Sequence, residues 1–346
     1  MNNKYSLCAL LKHVAACGVI LVVAVLLMAA KKEKPVTMFM IGDSTMANKP
    51  IDKGNKERGW GMALQCYFDE GIIVENHAVN GRSSKSFIIE GRWQKVVERI
   101  QPGDYVVIQF GHNDEKPKAD RHTDPGTTFD ANLRKFVRET REKGGIPILM
   151  NAVVRRNFFK RIPVNDDDEK LRNTVGPPSK DLKEEGDTLY DTHGAYLLSP
   201  RNVAREQNAV FVDANAITHQ LEQSLGREAS KKLHMWFLPN EEPSIPKGRQ
   251  DNTHYNIYGA HKVARLLADA MAEKVPALRS HIVDYDYSVA KDGVGDFFTI
   301  DEAIASVPQS KKKITLQLFK GEWTKPVVPK GKKIAFVLRE GAKWKE

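Results

Sequence analysis

The sequence predicts an α/β fold in three layers, a parallel sheet with helices on both faces, followed by a short β-solenoid-like tail. Three observations carry this. Apolar residues come in short continuous runs instead of alternating with polar ones, as in strands covered on both faces. Amphipathic stretches separate these runs, and strands that alternate with helices imply a parallel sheet. After about residue 280 a repeat with a period of 20 residues replaces that pattern.

Five strands are predicted: "VTMFMI" (36–41), "IIVEN" (72–76), "DYVVIQF" (104–110), "IPILMNAVV" (146–154) and "AVFVDA" (209–214). Helices are predicted over 61–68, 129–144, 196–208, 215–226 and 255–275. The clearest, "FDANLRKFVRETREKG", sets Phe129, Leu133, Phe136 and Val137 on one face and stops at glycine. Residues 155–187 show no period and read as a long polar surface loop, and "FLPNEEPSIPKGRQ" (237–250) reads as a Pro-rich one. In the tail, "KKITLQLFKGEW" (312–323) and "KKIAFVLREGAKW" (332–344) match at Ile314 and Ile334, Leu318 and Leu338, Gly321 and Gly341. Successive solenoid coils or two strands of an ordinary sheet would both give this match. Two coils cannot bury a continuous core alone. The tail is therefore expected to be the least stable region and dispensable for activity.

The 346 residues suffice for one large domain and a smaller piece, and the composition, 41% hydrophobic and 28% charged, is that of a globular protein. The net charge of +9 is concentrated at the ends: residues 1–34 hold five Lys against one Glu, and the tail is also basic. The middle is nearly balanced, which argues against a nucleic-acid partner. Lys4 and Lys12, an apolar run from Val14 to Ala30 and then "KKEK" read as an export leader or an anchor over residues 1–30. The remainder is expected outside the cytoplasm, periplasmic or extracellular, and monomeric, touching a membrane only through an uncleaved leader. Cys66 is the single cysteine beyond that leader, so no intramolecular disulfide is expected after its removal.

Polar clusters mark the predicted strand ends. The first strand ends in Gly42-Asp43-Ser44, which reads either as a turn or helix cap or as a turn that exposes a nucleophile. The second leads to Asn80-Gly81, a turn signal. The third runs into "GHND" (111–114), either an Asx-turn or, through Asn113, a donor to a developing oxyanion alongside the Gly81 amide. Asp251 and His254 stand three apart just before the last helix. On a turn, that spacing lets the carboxylate fix the imidazole tautomer and free the other nitrogen to take a proton from Ser44. A zinc site at His254 and His261 is disfavoured, because their spacing is poor and no third ligand stands out.

Together, in this order, the four clusters resemble those of the SGNH (GDSL-type) hydrolases, whose flavodoxin-like sandwich is then the implied fold. The resemblance implies Ser44, Asp251 and His254 as catalytic residues, and Ser44, Gly81 and Asn113 as the oxyanion hole. It implies no cofactor and no metal. "GDSTMA", "NHAVNGRSSKSF", "FGHND", "DNTHYNIYGA", "DTHGAYL" and "SKKLHMWFLPNEEPSIPKG" are similar to the rhamnogalacturonan acetylesterase branch, which implies an acetylated pectic polysaccharide as substrate. Another acylated glycan such as xylan, small acyl esters, or a catalytically dead glycan-binding module are the alternatives. "YSVAKDGVGDFFTIDEAIASVPQ" (287–309) resembles the opening of pectin methylesterases, which are parallel β-helices, but that family's catalytic positions would lie beyond the match. The expected layout is a leader over 1–30, an acetylesterase domain over 36–280 and a truncated β-helix start over 285–346.

Overall fold

In the computed structural model, which describes residues 34–160 and 186–346, β1 (Val36–Gly42) is the strand from which the sheet grows. It pairs in parallel with β2 (Ile72–Asn76) on one side and β3 (Tyr105–Gln109) on the other. β4 (Ile146–Met150) adds to β3. After a short antiparallel pair, β5 (Phe158–Phe159) and β6 (Thr188–Leu189), the strand β7 (Val210–Val212) completes the sheet on β4. The order β2-β1-β3-β4-β7 reverses direction between β1 and β3. In open parallel sheets, the crevice beyond the carboxyl ends at such a reversal is where ligands bind.

Alternate residues of β1 feed two cores. Met38 and Met40 face one side, where they join Trp60, Ala63 and Leu64, and the long helix Ile257–Lys274 packs Ala260, Val263, Ala264 and Leu267 there. Phe39 and Ile41 face the other. There they meet Trp93 and Val96 from α3 (Arg92–Val97), Phe129, Leu133 and Phe136 from α4 (Thr128–Glu142), and Val203 from α5 (Leu198–Glu206). The helical face expected at Phe129, Leu133, Phe136 and Val137 is buried on that side.

The structure departs from the sequence reading in four places. The helix expected over 61–68 is one turn of α-helix, α1 (Trp60–Ala63), continued as a 3₁₀ segment (Leu64–Tyr67). Two short helices, α2 (Ser84–Ile89) and α3, follow the Asn80-Gly81 turn where no helix was expected. The Pro-rich stretch connects an antiparallel hairpin, β8 (His234–Phe237) and β9 (Arg249–Tyr255). The polar insertion does not begin as a surface loop: Arg155, Arg156, Asn157 and Phe158 are buried. Residues 161–185 of that insertion, and the expected leader, lie outside the described residues. No helix among the described residues is long and apolar enough to cross a membrane.

In the tail, β10 (Tyr287–Val289), β11 (Lys313–Leu318) and β13 (Lys333–Leu338) pair in parallel, with Ile314 opposite Ile334 and Leu318 opposite Leu338, a register that follows the repeat. β12 (Gly321–Trp323) and β14 (Ala342–Trp344) form a second parallel pair, in which Gly321 faces Ala342 and not Gly341. The tail has its own small core of Val289, Ile300, Ile314, Leu316, Leu318 and Trp323. Val36–Glu346 nevertheless packs as one compact unit. Buried Arg339 donates to Glu70 Oε1 at 2.6 Å and to the Phe68 carbonyl at 2.7 Å, and Gln317 donates to the Cys66 carbonyl at 2.8 Å. The buried Arg58 guanidinium donates to the Gly293 carbonyl at 3.1 Å. Replacing Arg339 with Ala removes charge-assisted bonds from the buried Phe68 carbonyl and the partly exposed Glu70 carboxylate, and a loss of about 2 kcal/mol is expected in denaturant titrations. Deleting residues 286–346 should lower the melting temperature further, because Cys66, Phe68 and Arg58 all lose partners.

Candidate active site

Ser44 occupies the turn immediately after β1. Asp43 closes that turn: its carbonyl accepts from Met46 and Ala47, and its Oδ1 accepts from the amide (3.0 Å) and hydroxyl (2.9 Å) of Thr45. Gly42 is required there for space. A Cβ at this position would lie 2.7 Å from the Gln109 carbonyl of β3 and 3.0 Å from Met46 Sδ. Asp43 is wholly buried, and burial raises its carboxyl, against the lowering by the Thr45 bonds and by the charges of Arg155 and His254.

Asp251 and His254 arrive from the hairpin. Trp236 opposes Gln250 and His234 opposes Tyr255, so Met235 alone faces residues 251–254. The surplus loops out of β9 as a bulge. Asp251 Oδ1 holds the loop by accepting the amides of Thr253 (2.8 Å) and His254 (2.9 Å), an Asx-type turn. The turn expected from the Asp-x-x-His spacing therefore lies inside a strand. Asp251 Oδ2 lies 2.9 Å from His254 Nδ1, and His254 Nε2 lies 2.9 Å from Ser44 Oγ. Burial opposes ionisation of Asp251. The His254 hydrogen bond and charge, together with Arg249, outweigh it and hold the carboxyl well below the usual range. An ionised Asp251 keeps the proton on Nδ1, so Nε2 accepts from the Ser44 hydroxyl.

Gly81 sits at the third position of a turn closed by the Arg82 amide on the Val79 carbonyl (3.3 Å), with φ of +74°, which suits glycine. The Val79 amide donates to the Gly42 carbonyl at 3.0 Å, tying this turn to the end of β1. Asn113 Nδ2 donates to the Arg82 carbonyl at 3.2 Å, beside Gly81, while Lys116 Nζ fixes Asn113 Oδ1 at 2.7 Å. His261 points elsewhere, with Nδ1 3.1 Å from Tyr67 Oη and 3.5 Å from Asp296, away from His254. Among the described residues no group of three or more His, Cys, Asp or Glu could hold a metal ion.

Residues 40–278 match the GDSL-like Lipase/Acylhydrolase family. The chain belongs to this family. The acylhydrolase is 37% identical over 251 residues to a rhamnogalacturonan acetylesterase of Bacillus subtilis (strain 168), covering 72% of this chain and 96% of that one. It is 44% identical over 253 residues to a rhamnogalacturonan acetylesterase of Emericella nidulans, covering 72% and 91%. The crystal structure of the Bacillus subtilis protein YxiM shares the fold, with a TM-score of 0.53 at 24% identity over 69% of the acylhydrolase and 57% of that longer chain.

Sequence reasoning passed over two groups at this site. Asp114, the residue after Asn113, is fully buried and accepts Ser84 Oγ at 2.5 Å, Thr123 Oγ1 at 2.9 Å and the Ser84 amide at 3.1 Å, joining the Asn113 segment to the first turn of α2. His112, just before Asn113, meets buried His193 at 3.0 Å, which in turn meets Asp191 at 3.1 Å. The signals were present in "GHND" and "DTHG", but nothing in a sequence marks a polar residue as buried. Burial pushes the Asp114 carboxyl up to about 6, despite the Ser84 and Thr123 bonds. The folded acylhydrolase then binds more protons at this group than the unfolded chain does. Its contribution to stability is full below about pH 4 and is lost as the pH rises through about 6. Asp114→Asn lacks this dependence, so melting temperatures should shift in favour of the variant, relative to the parent, between about pH 4 and 7. A constant difference would contradict a carboxyl titrating in that window.

Proposed function

We propose that the acylhydrolase is an exported serine esterase that removes O-acetyl groups from pectic polysaccharide, with rhamnogalacturonan as the substrate backbone. The observation that carries this reading is the relay from Ser44 Oγ through His254 to Asp251, both links 2.9 Å, in a chain 37% and 44% identical to proteins named rhamnogalacturonan acetylesterases. The N-terminal charge and apolar pattern supports export.

Ser44 Oγ attacks the acetyl carbonyl carbon as His254 Nε2 takes its proton. The carbonyl π bond opens to an oxyanion, which the amides of Ser44 and Gly81 and the side-chain amide of Asn113 receive. Collapse breaks the bond to the sugar oxygen, and His254 returns the proton to that oxygen. Acetyl-Ser44 remains. Water, deprotonated by His254, attacks the acetyl carbon, the bond to Ser44 Oγ breaks to release acetate, and His254 returns the proton to Oγ. Asp251 holds the imidazole throughout and balances the imidazolium.

Acetate release from acetylated rhamnogalacturonan, compared with acetylated xylan, tests the substrate; faster turnover of xylan would reject the pectic assignment. Ser44→Ala should lower kcat by about 10⁶-fold, as loss of a nucleophile in such triads does. Asn113→Ala should lower it by about 10²–10³-fold with the fold intact. Parent-like activity in Ser44→Ala would remove the nucleophile assignment.

A further inference from the structure

Asp251 Oδ2 accepts from a second donor besides His254, the guanidinium of Arg249, whose Nη2 lies 2.6 Å away. The same guanidinium turns Nη1 to Glu57 Oε2 at 2.8 Å. The other oxygen of Glu57 receives Lys49 Nζ at 2.8 Å, and that ammonium donates to Asn80 Oδ1 at 2.6 Å. Asn80 is the residue before Gly81. An unbroken series of hydrogen bonds thus runs from the triad carboxylate to the oxyanion turn, through three segments distant in sequence.

We propose that Arg249, Glu57 and Lys49 are positioning residues for acyl transfer: their alternating charges tie Asp251 and the Asn80–Gly81 turn into one frame and set the field at His254. The proposal rests on the reading of Ser44 and His254 as nucleophile and base.

Two features of the surroundings support it. First, the ladder is shielded: the Lys49 side chain is only 2% exposed and that of Glu57 15%, so these charges are weakly screened by solvent. Second, its middle rung is pinned to the hairpin that carries the triad. Glu57 forms a β-bridge with Asn256, and the Arg58 amide donates to the Tyr255 carbonyl at 3.0 Å. Arg249 alone beside Asp251 would disfavour the imidazolium that forms at His254. Glu57 offsets it, and Lys49 stabilises Glu57 in its ionised form. Burial opposes that ionisation, while the charges of His254, Lys49 and Arg249 keep the Glu57 carboxyl below its usual range. Asp43, on the Ser44 side, is a further acid whose charge reaches His254.

The full chain is assayed on a neutral aryl acetate, so substrate charge plays no part. Arg249→Met and Glu57→Gln should each lower kcat by about 10–10²-fold, the scale of a misplaced catalytic group, with KM within about twofold. The acidic limb of the kcat/KM profile should move to higher pH in Arg249→Met, where the imidazolium loses a repelling charge. It should move to lower pH in Glu57→Gln, where it loses an attracting one. A general loosening of structure cannot displace the limb in opposite directions. Arg249→Lys, which keeps the charge but not the fork, should hold the limb at the parent pH with reduced kcat, and it serves if Arg249→Met does not fold. Limbs that stay put, limbs that move together, or an effect on KM alone would overturn the proposal. The parent and Ser44→Ala are run alongside. An inactive parent or an active Ser44→Ala removes the acyl-transfer reading itself. Active parent, inactive Ser44→Ala and unmoved limbs remove only the ladder.

Discussion

The site depends on how closely β1 and β3 approach at their carboxyl ends. Gly42 faces Gln109 in parallel register, with no room for a side chain between the strands. Because the strands stay together to this point, the chain must turn sharply at Asp43, and Ser44 is left at the reversal of strand order. The other segments use the same edge. His77 donates to the Met40 carbonyl and Val79 to the Gly42 carbonyl, which brings the Gly81 turn to the end of β1. Trp60 donates its backbone amide to Thr45 and its indole N–H to Gln109, locking the turn from the opposite side. The Ser44 and Gly81 segments thus take their positions from backbone hydrogen bonding at one strand end, and the Asn113 segment follows directly from β3, the partner of β1, with its side chain bonded to the Arg82 carbonyl.

The fourth segment has no such anchor. β8 and β9 form a sheet apart from the central one, so Asp251 and His254 must be placed by contacts of another kind. The bulge supplies the local shape. Position comes from a set of polar contacts around the hairpin: Arg156 donates its amide to the Asn252 carbonyl at 2.8 Å and its Nη1 to Asn252 Oδ1 at 3.0 Å, and Glu57 and Arg249 close the other side. Buried ion pairs contribute little net stability, since desolvation offsets their attraction, yet losing one partner is costly because the other is left unpaired. Charges concentrated around this hairpin are better understood as directional constraints than as a source of stability. Apolar packing would hold the hairpin, but it would not select one orientation of the Asp251 carboxylate.

What could be read from the sequence follows from the same distinction. All five central strands were legible because a strand covered on both faces must be an apolar run, and the polar clusters were legible because they interrupt those runs. The helices α2 and α3 were not. The capping pair there is Ser83 with Ser86, lacking the more familiar acidic partner, and Gly91 between the helices adopts a left-handed conformation that reads as a turn. The hairpin was hidden for a related reason. β9 is "RQDNTHY", with neither alternation nor an apolar run, because its middle leaves the ladder to carry the site. Arg155 and Arg156 look like solvent-exposed residues in the sequence and are buried. Lys49, Glu57 and Arg249 form no local pattern at all, since what joins them is the fold.

The tail shows how polar residues can attach one layer to another. In β11, Ile314, Leu316 and Leu318 point into the tail's own core, and Gln317 points the opposite way. On a free-standing coil that outward position would face water; here it is 2% exposed. The surface it meets is the 3₁₀ segment Leu64–Tyr67 and its cap Phe68, where a helical end leaves carbonyls without partners in the segment. Gln317 satisfies Cys66 and Arg339 satisfies Phe68, while Arg339 also bonds Gln317 Oε1 at 2.7 Å, so the two donors orient each other. An apolar residue at position 317 would remove the donor to the buried Cys66 carbonyl, at a cost of about 1–3 kcal/mol, and one at position 339 would leave the Phe68 carbonyl only the longer 3.5 Å bond from Gln65 Nε2. The attachment is therefore specific to this pairing of tail and helix end, and a generic solenoid coil, polar on its outer face but without donors at these two heights, would not reproduce it.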